Sequence, residues 1–132
     1  MQHPGVTNLA LVVDDEPSLR LVLRRFLERR GWQVSEAKSG EDALRMLTDG
    51  AMRTPDAVIV DLNMPGLPGG VTCGRIAAEF PMLAHRLVIA SGDERAARDA
   101  MAVEHLDCPV LAKPFELATL EATLLGLLAA TA

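Results

Sequence analysis

Cysteine and histidine are scarce in this sequence of 132 residues, and neither stands in a metal-binding pattern. Cys73 and Cys108 are widely separated and form no Cys-x-x-Cys motif, which excludes a cysteine-ligated metal centre and favours reduced, structural thiols. The histidines at positions 3, 85 and 105 have no ligand partners at metal spacing, so solvated side chains are expected for them.

The sequence also has few basic residues and no long hydrophobic run. The 13 basic residues are outnumbered by 18 acidic ones, which leaves a formal charge of −5 and argues against direct binding to nucleic acid or to anionic membranes. The most apolar stretch, residues 122–132, is too short to span a bilayer. The first eight residues lack the basic-then-apolar pattern of a signal peptide. We therefore expect a cytoplasmic protein with no membrane association.

No low-complexity segment, linker or shift of composition divides the chain. The length is typical of one domain, and 49% of the residues are hydrophobic against 23% charged. This is the balance of a globular protein with a single core. We predict one domain over residues 1–132.

Five short apolar segments are rich in β-branched residues and are separated by segments with helical periodicity. The predicted strands are Leu9–Val13, Gln33–Ala37, Ala57–Val60, Leu87–Ala90 and Val110–Ala112. The predicted helices are an amphipathic segment before Gly31, then 40–49, about 71–80, 94–105, and a last helix after Pro114. This alternation predicts an α/β fold with one doubly wound, five-stranded parallel sheet covered on both faces.

Polar residues stand where four of these strands end. Asp14 and Asp15 follow the first strand, Asp61 the third, Ser91 the fourth and Lys113 the fifth. Each alone has a structural explanation, such as a helix cap or a solvated lysine. Because ligands of an open parallel sheet bind beyond the carboxyl ends of its strands, the five together predict a functional site.

The chemistry of these residues is complementary. Carboxylates that lie close together repel one another, so they favour a cation between them. An all-oxygen set suits magnesium, which takes one or two carboxylates together with a substrate phosphate. Lys113 suits a phosphoryl oxygen, and the Ser91 hydroxyl can donate to another. Asp61, at the end of a buried strand, is then the predicted phosphoryl acceptor.

The stretches LVVDDE, VIVDLNMPGLPGG, VIASGD and VLAKPF resemble the receiver domain of two-component response regulators, over about residues 8–130. The resemblance implies a flavodoxin-like (βα)5 fold with strand order 2-1-3-4-5, and a receiver domain over 1–132 with no output domain. It implies that a histidine kinase or a histidine phosphotransfer protein supplies the phosphoryl group. The protein would then be a self-phosphorylating signalling module, not an enzyme.

The resemblance also implies a ligand set for magnesium. By this resemblance, Asp15 would bind the ion directly, Asp14 would bind it through water, and Asp61 would be both ligand and phosphoryl acceptor. The backbone carbonyl of Asn63 would be the remaining ligand from the protein. In the same family, residues matching Ser91 and Lys113 hold the phosphoryl group.

Strand five carries one feature typical of the family and one departure from it. The family holds the bond between the lysine and the following proline cis, so a cis bond is expected before Pro114. A tyrosine or phenylalanine usually stands three residues before the lysine and turns inward on phosphorylation, but here this switch position is Val110. The chain has no tyrosine at all. We therefore expect the loop after Ser91 to carry the signal.

The last helix carries a second apolar stripe beside the one it needs for packing on the sheet. Leu125 belongs to this second stripe, and we expect it to be at least partly exposed. The face formed by helix four, strand five and helix five is then a candidate surface for a homodimer or an output partner.

Two other families share part of this pattern, and the arginines of the first helix allow two interpretations. Phosphatases of the haloacid dehalogenase type also use a strand-end aspartate with magnesium, but need a second aspartate where Asn63 stands. Flavodoxins need a hydroxyl- and glycine-rich phosphate loop after strand one, which is absent. The arginines at positions 20, 24, 25, 29 and 30 form either a solvated helix face or a docking face for an acidic phosphoryl donor.

Overall fold

The computed structural model describes residues 7–130, in which strands and helices alternate along the chain. The strands are β1 (Leu9–Val13), β2 (Gln33–Ala37), β3 (Ala57–Asp61), β4 (Leu87–Ser91) and β5 (Val110–Ala112). The helices are α1 (Pro17–Arg29), α2 (Gly40–Thr48), α3 (Gly69–Glu79), α4 (Glu94–Glu104) and α5 (Leu117–Ala130), with a 3-10 turn at Pro81–Leu83. By length and hydropathy, no helix within residues 7–130 qualifies as a membrane span.

The strands form one parallel sheet in the order β2-β1-β3-β4-β5. This confirms the predicted doubly wound, flavodoxin-like (βα)5 fold. The chain first builds outward from β1 to β2 and then returns to the other side of β1 with β3. The point where the order reverses therefore lies between β1 and β3, and it opens the crevice in which ligands of such sheets bind.

Helices cover both faces of the sheet. On one face, Leu23 and Leu27 of α1 pack with Leu120 and Leu124 of α5. On the other face, α2, α3 and α4 bury residues such as Ile76 against the sheet. Because the central strands β1, β3 and β4 are covered on both sides, each is buried along its whole length. This explains their nearly continuous apolar sequences.

Element boundaries differ from the sequence prediction by one or two residues. β3 extends to Asp61 and β4 to Ser91, because both residues still pair in the parallel ladder. α3 begins at Gly69, two residues earlier than predicted. Gly31 follows the end of α1 with φ of +91°, a conformation that favours glycine.

The two cysteines are free and buried in the core. Burial raises the pKa of the Cys108 thiol to about 11, so this thiol stays protonated and unreactive at neutral pH. His85 and His105 are exposed, and His105 ends α4 in the left-handed conformation. His3 lies outside the described residues.

Candidate functional site at the carboxyl edge of the sheet

The carboxyl edge of the sheet gathers the five polar side chains that the sequence singles out. Asp14 and Asp15 directly follow β1, Asp61 and Ser91 end β3 and β4, and Lys113 follows β5. Asp14, Asp61 and Ser91 are buried, with 4%, 6% and 0% of their surfaces exposed, whereas Asp15 is exposed. Two of the three carboxylates are thus buried, and the third is exposed to solvent.

Lys113 joins the two buried carboxylates. Its Nζ atom lies 3.1 Å from Asp61 Oδ1 and 3.5 Å from Asp14 Oδ2. Burial opposes the charge of the ammonium, but the hydrogen bond and charge of Asp61, together with Asp14, outweigh burial and raise the pKa of Lys113. The lysine therefore stays charged at neutral pH and offsets part of the negative charge beside it.

The Asp14 carboxylate is held in place at both of its oxygens. Its Oδ1 atom accepts the backbone N–H of Glu16 at 2.9 Å, while Oδ2 faces Lys113. Burial raises the pKa of Asp14 despite the Glu16 hydrogen bond, and the negative charges of Asp61 and Asp15 raise it further. A cation bound beside Asp14 would favour the charged carboxylate.

Asp14, Asp15 and Asp61 form a carboxylate cluster that fits a hard metal ion. One oxygen from each of the three lies within 4.8 Å of the others. Oxygen ligands and accumulated negative charge are what magnesium prefers in proteins. The backbone N–H of Asn63 donates to Asp61 Oδ1 at 3.4 Å, which ties the start of the β3–α3 loop to this cluster. The residues present therefore fit a magnesium ion.

Gly69 allows α3 to begin directly against the end of β3. A Cβ atom at this position would lie 2.2 Å from the carbonyl oxygen of Asp61 and 2.6 Å from Leu62 Cα. Its N–H donates to the Leu62 carbonyl at 3.1 Å, which fixes the close approach. Glycine is needed here because any side chain would push α3 away from the strand that carries Asp61.

Ser91 connects the strand edge to the start of α4. Its Oγ atom donates to the carbonyl of Asp93 and accepts the Asp93 N–H, both at 2.9 Å. The Asp93 side chain in turn caps α4 by accepting the N–H of Ala96 at 3.1 Å. A new hydrogen-bond acceptor for the Ser91 hydroxyl would compete with the Asp93 carbonyl. Because Asp93 caps α4, this competition would also affect the first turn of α4.

β5 is the outermost strand on one side of the sheet, and it lies beside α4 and α5. The Lys113–Pro114 peptide bond is cis. Val110 is half-buried on the edge strand and borders a groove of about 360 Å³ that also contacts Phe115. Leu125 on α5 is 50% exposed, which confirms the prediction of partial exposure.

Two of the α1 arginines have a different role from the one the sequence suggested. Arg20 and Arg24 both bind the carboxylate of Glu36 on β2, and the Arg20 side chain is only 15% exposed. The expectation of a solvated side chain is therefore wrong for Arg20, whereas docking of a phosphoryl donor by this helix stays a prediction. One signal could have found this pair: Glu36 is a charged residue inside a predicted strand that neighbours β1.

The fold and the strand-end cluster define a doubly wound α/β protein with a carboxylate and lysine site at its switch point. Residues 10–125 match the model of the response regulator receiver domain, and the chain belongs to this family. Receiver domains serve as phosphoacceptors in two-component signal transduction, and this chain is such a domain.

Relatives of the chain are longer proteins. Response regulator MprA from Mycolicibacterium vanbaalenii is 35% identical over 124 residues, which cover 92% of this chain and 50% of MprA. The DNA-binding transcriptional regulator NtrC from Klebsiella pneumoniae is 35% identical over 109 residues, which cover 83% of this chain and 22% of NtrC. The chain thus spans half or less of the length of these relatives.

Solved receiver structures share the fold. The response regulator protein TrrA from Thermotoga maritima, whose crystal structure is in complex with Mg2+-BeF, superposes with a TM-score of 0.78 at 27% sequence identity. The superposition covers 92% of this chain and 99% of TrrA.

Proposed function

We propose that Asp61 is the residue that accepts the phosphoryl group, and that a phosphohistidine on a kinase or phosphotransfer protein supplies it. The observation that carries this proposal is the position of the Asp61 carboxylate. It ends a buried strand and forms an ion pair with Lys113. One of its oxygens lies within 4.8 Å of a carboxylate oxygen of Asp14 and one of Asp15. The family's phosphoacceptor role requires a carboxylate in such surroundings.

In the proposed transfer, an oxygen of Asp61 forms a bond to phosphorus while the bond between phosphorus and the donor histidine nitrogen breaks. The histidine keeps the electron pair of that bond. Lys113 contacts the transferred group through its ammonium and Ser91 through its hydroxyl, so both stabilise the negative charge that collects on the phosphoryl oxygens. For Ser91, this contact means giving up its bond to the Asp93 carbonyl.

The carboxylates of Asp14, Asp15 and Asp61, with the backbone carbonyl of Asn63, would hold a magnesium ion beside the acceptor. When bound, the ion supplies positive charge that neutralises the crowded carboxylates and the incoming phosphoryl group. Two observations support this assignment: the oxygen cluster described above, and the Mg2+-BeF complex of the related TrrA.

We further propose a cytoplasmic signalling module that does not turn over substrate. With acetyl phosphate and magnesium, the chain is expected to take up one phosphoryl group per molecule, measured by intact mass. With p-nitrophenyl phosphate it should release no p-nitrophenol beyond a stoichiometric amount, measured by absorbance. The reason is that Asn63 cannot act as an acid or base beside Asp61. Sustained turnover would indicate a phosphatase instead.

The face formed by α4, β5 and α5 is the proposed output or homodimer surface. It presents a half-exposed Leu125 and, at the switch position, Val110 in place of a ring. Because Ser91 is joined to the cap of α4 through Asp93, rearrangement at Ser91 is the proposed route by which phosphorylation alters this face.

Leu125→Glu is expected to weaken self-association or partner binding by about tenfold or more, because it places a charge in an apolar contact. Phosphorylation of Asp61 should remain unchanged, since Leu125 lies more than two helical turns after the start of α5 at Leu117 and is not among the residues of the carboxylate and lysine cluster. Sedimentation of the phosphorylated protein measures the first effect, and intact mass the second. Met82→Glu, which changes another exposed hydrophobic residue at 64% exposure, is the matched control. Equal behaviour of both variants would contradict the proposed surface.

A further inference from the structure

The main chain of Asp14 is held from two sides at the start of the β1–α1 turn. Its N–H donates to the carbonyl of Ala37 at 3.1 Å, which continues the pairing with β2. Its carbonyl accepts a hydrogen bond from the Nη1 atom of Arg20 at 2.6 Å. A buried carbonyl needs a hydrogen-bond partner, and here a side chain supplies that partner. The carboxylates of Asp14 and Asp15 both project from this short stretch of chain.

Arg20 is itself fixed by an ion-pair network behind the turn. Its Nε atom donates to Glu36 Oε1 at 3.0 Å, while Arg24 Nε donates to Glu36 Oε2 at 2.6 Å. Burial opposes the charge of Glu36, but its hydrogen bonds to Arg24 and Arg20 outweigh burial and lower its pKa. Glu36 is therefore ionised at neutral pH and holds the Arg20 guanidinium in one orientation.

We propose that Arg20 is a positioning residue for the magnesium site, acting through its bond to the Asp14 carbonyl. This inference rests on the proposed function. Arg20 uses its Nε atom to bind Glu36 on β2 and its Nη1 atom to bind the main-chain carbonyl of Asp14. It thereby fixes the position of the backbone from which the Asp14 and Asp15 carboxylates project. Residues that hold the ligands in place affect metal affinity, because a bound metal requires its ligands at set distances and angles.

Charge alone predicts the opposite effect of removing Arg20. Arginine is a cation close to the acidic cluster, so its loss would strengthen the attraction of the cluster for magnesium. Loss of positioning would weaken magnesium binding, because the Asp14 carbonyl and the turn that follows would be free to move. The sign of the change in affinity therefore separates the two effects.

Arg24 offers a matched control. It binds the same Glu36 carboxylate on the same helix, but the contacts of Arg24 lead to Glu36 and Glu28 and not to Asp14. Arg20→Met and Arg24→Met each remove one cation and one bond to Glu36. Arg20→Met also removes the bond to the Asp14 carbonyl, whereas Arg24→Met also removes an exposed bond to Glu28 on the same helix.

The test is a magnesium titration of both variants and the wild-type chain, followed by NMR amide shifts and without any phosphodonor. Arg20→Met is expected to weaken magnesium binding about tenfold, and Arg24→Met by less than about twofold. The same order is expected for initial rates of labelling by acetyl phosphate at limiting magnesium, with the difference vanishing at saturating magnesium. If Arg20→Met does not fold, Arg20→Lys and Arg24→Lys give the same comparison, because a single ammonium cannot reproduce the forked contact.

Equal losses in the two variants, or tighter binding in Arg20→Met, would overturn the role of Arg20 while leaving the magnesium site intact. A wild-type chain whose amide shifts do not respond to magnesium would contradict the magnesium site itself, and the role of Arg20 with it.

Discussion

Asp61→Asn is expected to reduce labelling by acetyl phosphate to background. The amide that replaces the carboxylate is nearly the same size and can still meet Lys113 as a hydrogen-bond acceptor, so the fold should persist. It lacks the anionic oxygen that would attack phosphorus, so the transfer cannot begin. Intact mass after incubation with acetyl phosphate and magnesium measures the result, and circular dichroism verifies the fold.

The position of the label provides the control for this experiment. In the wild-type chain, the phosphoryl group should map to the peptide that contains Asp61, and should be lost on brief treatment with hydroxylamine, which cleaves acyl phosphates. Glu16→Gln, which removes a nearby exposed carboxylate outside the cluster, should label like the wild type. Labelling of Asp61→Asn at the wild-type level would show that another residue is the acceptor.

Asp15→Asn is expected to remove most of the stability that magnesium adds. An ion that binds only the native state stabilises it by about 2.7 kcal/mol when its concentration is about 100 times the Kd. For a domain of this size this corresponds to a rise in Tm of roughly 10 °C. The variant should lose most of this rise, because Asp15 is the exposed member of the three-carboxylate cluster.

The same substitution should make the metal-free protein more stable. Asp15 repels the neighbouring Asp14, whose pKa is raised chiefly by burial and further by the charges of Asp61 and Asp15. Removing one charge relieves part of that repulsion. Thermal unfolding with and without magnesium measures both effects, and Glu16→Gln should change neither by a comparable amount. An undiminished magnesium effect in Asp15→Asn would count against the site.

Strand periodicity and strand-end chemistry could be predicted from local sequence. The β-branched runs of the central strands are apolar because both sheet faces are covered. Parallel strands place their carboxyl ends at the same edge. These two rules together predict one shared edge for Asp14, Asp15, Asp61, Ser91 and Lys113, and the structure places all five there. The rules fail by one residue at β3 and β4, because ladder pairing with a neighbour decides where a strand ends.

The contact between Arg20 and the Asp14 carbonyl could not be predicted in this way. Arg20 and Glu36 lie on different elements, and nothing in the spacing of α1 distinguishes an arginine that reaches the Asp14 carbonyl from one that points to solvent. The double hydrogen bond between Ser91 and Asp93, although local, likewise depends on the turn that the chain adopts between β4 and α4.

The α/β class, the order of the elements along the chain and the group of residues at the site follow from the sequence, because each depends on periodicity or on position at a strand end. Which of these groups are buried, the bridge from Lys113 to Asp14 and Asp61, and the approach of α3 to the Asp61 carbonyl at Gly69 depend on tertiary structure. Burial and ion pairing depend on neighbours in space, and those neighbours come from elements far apart in the chain.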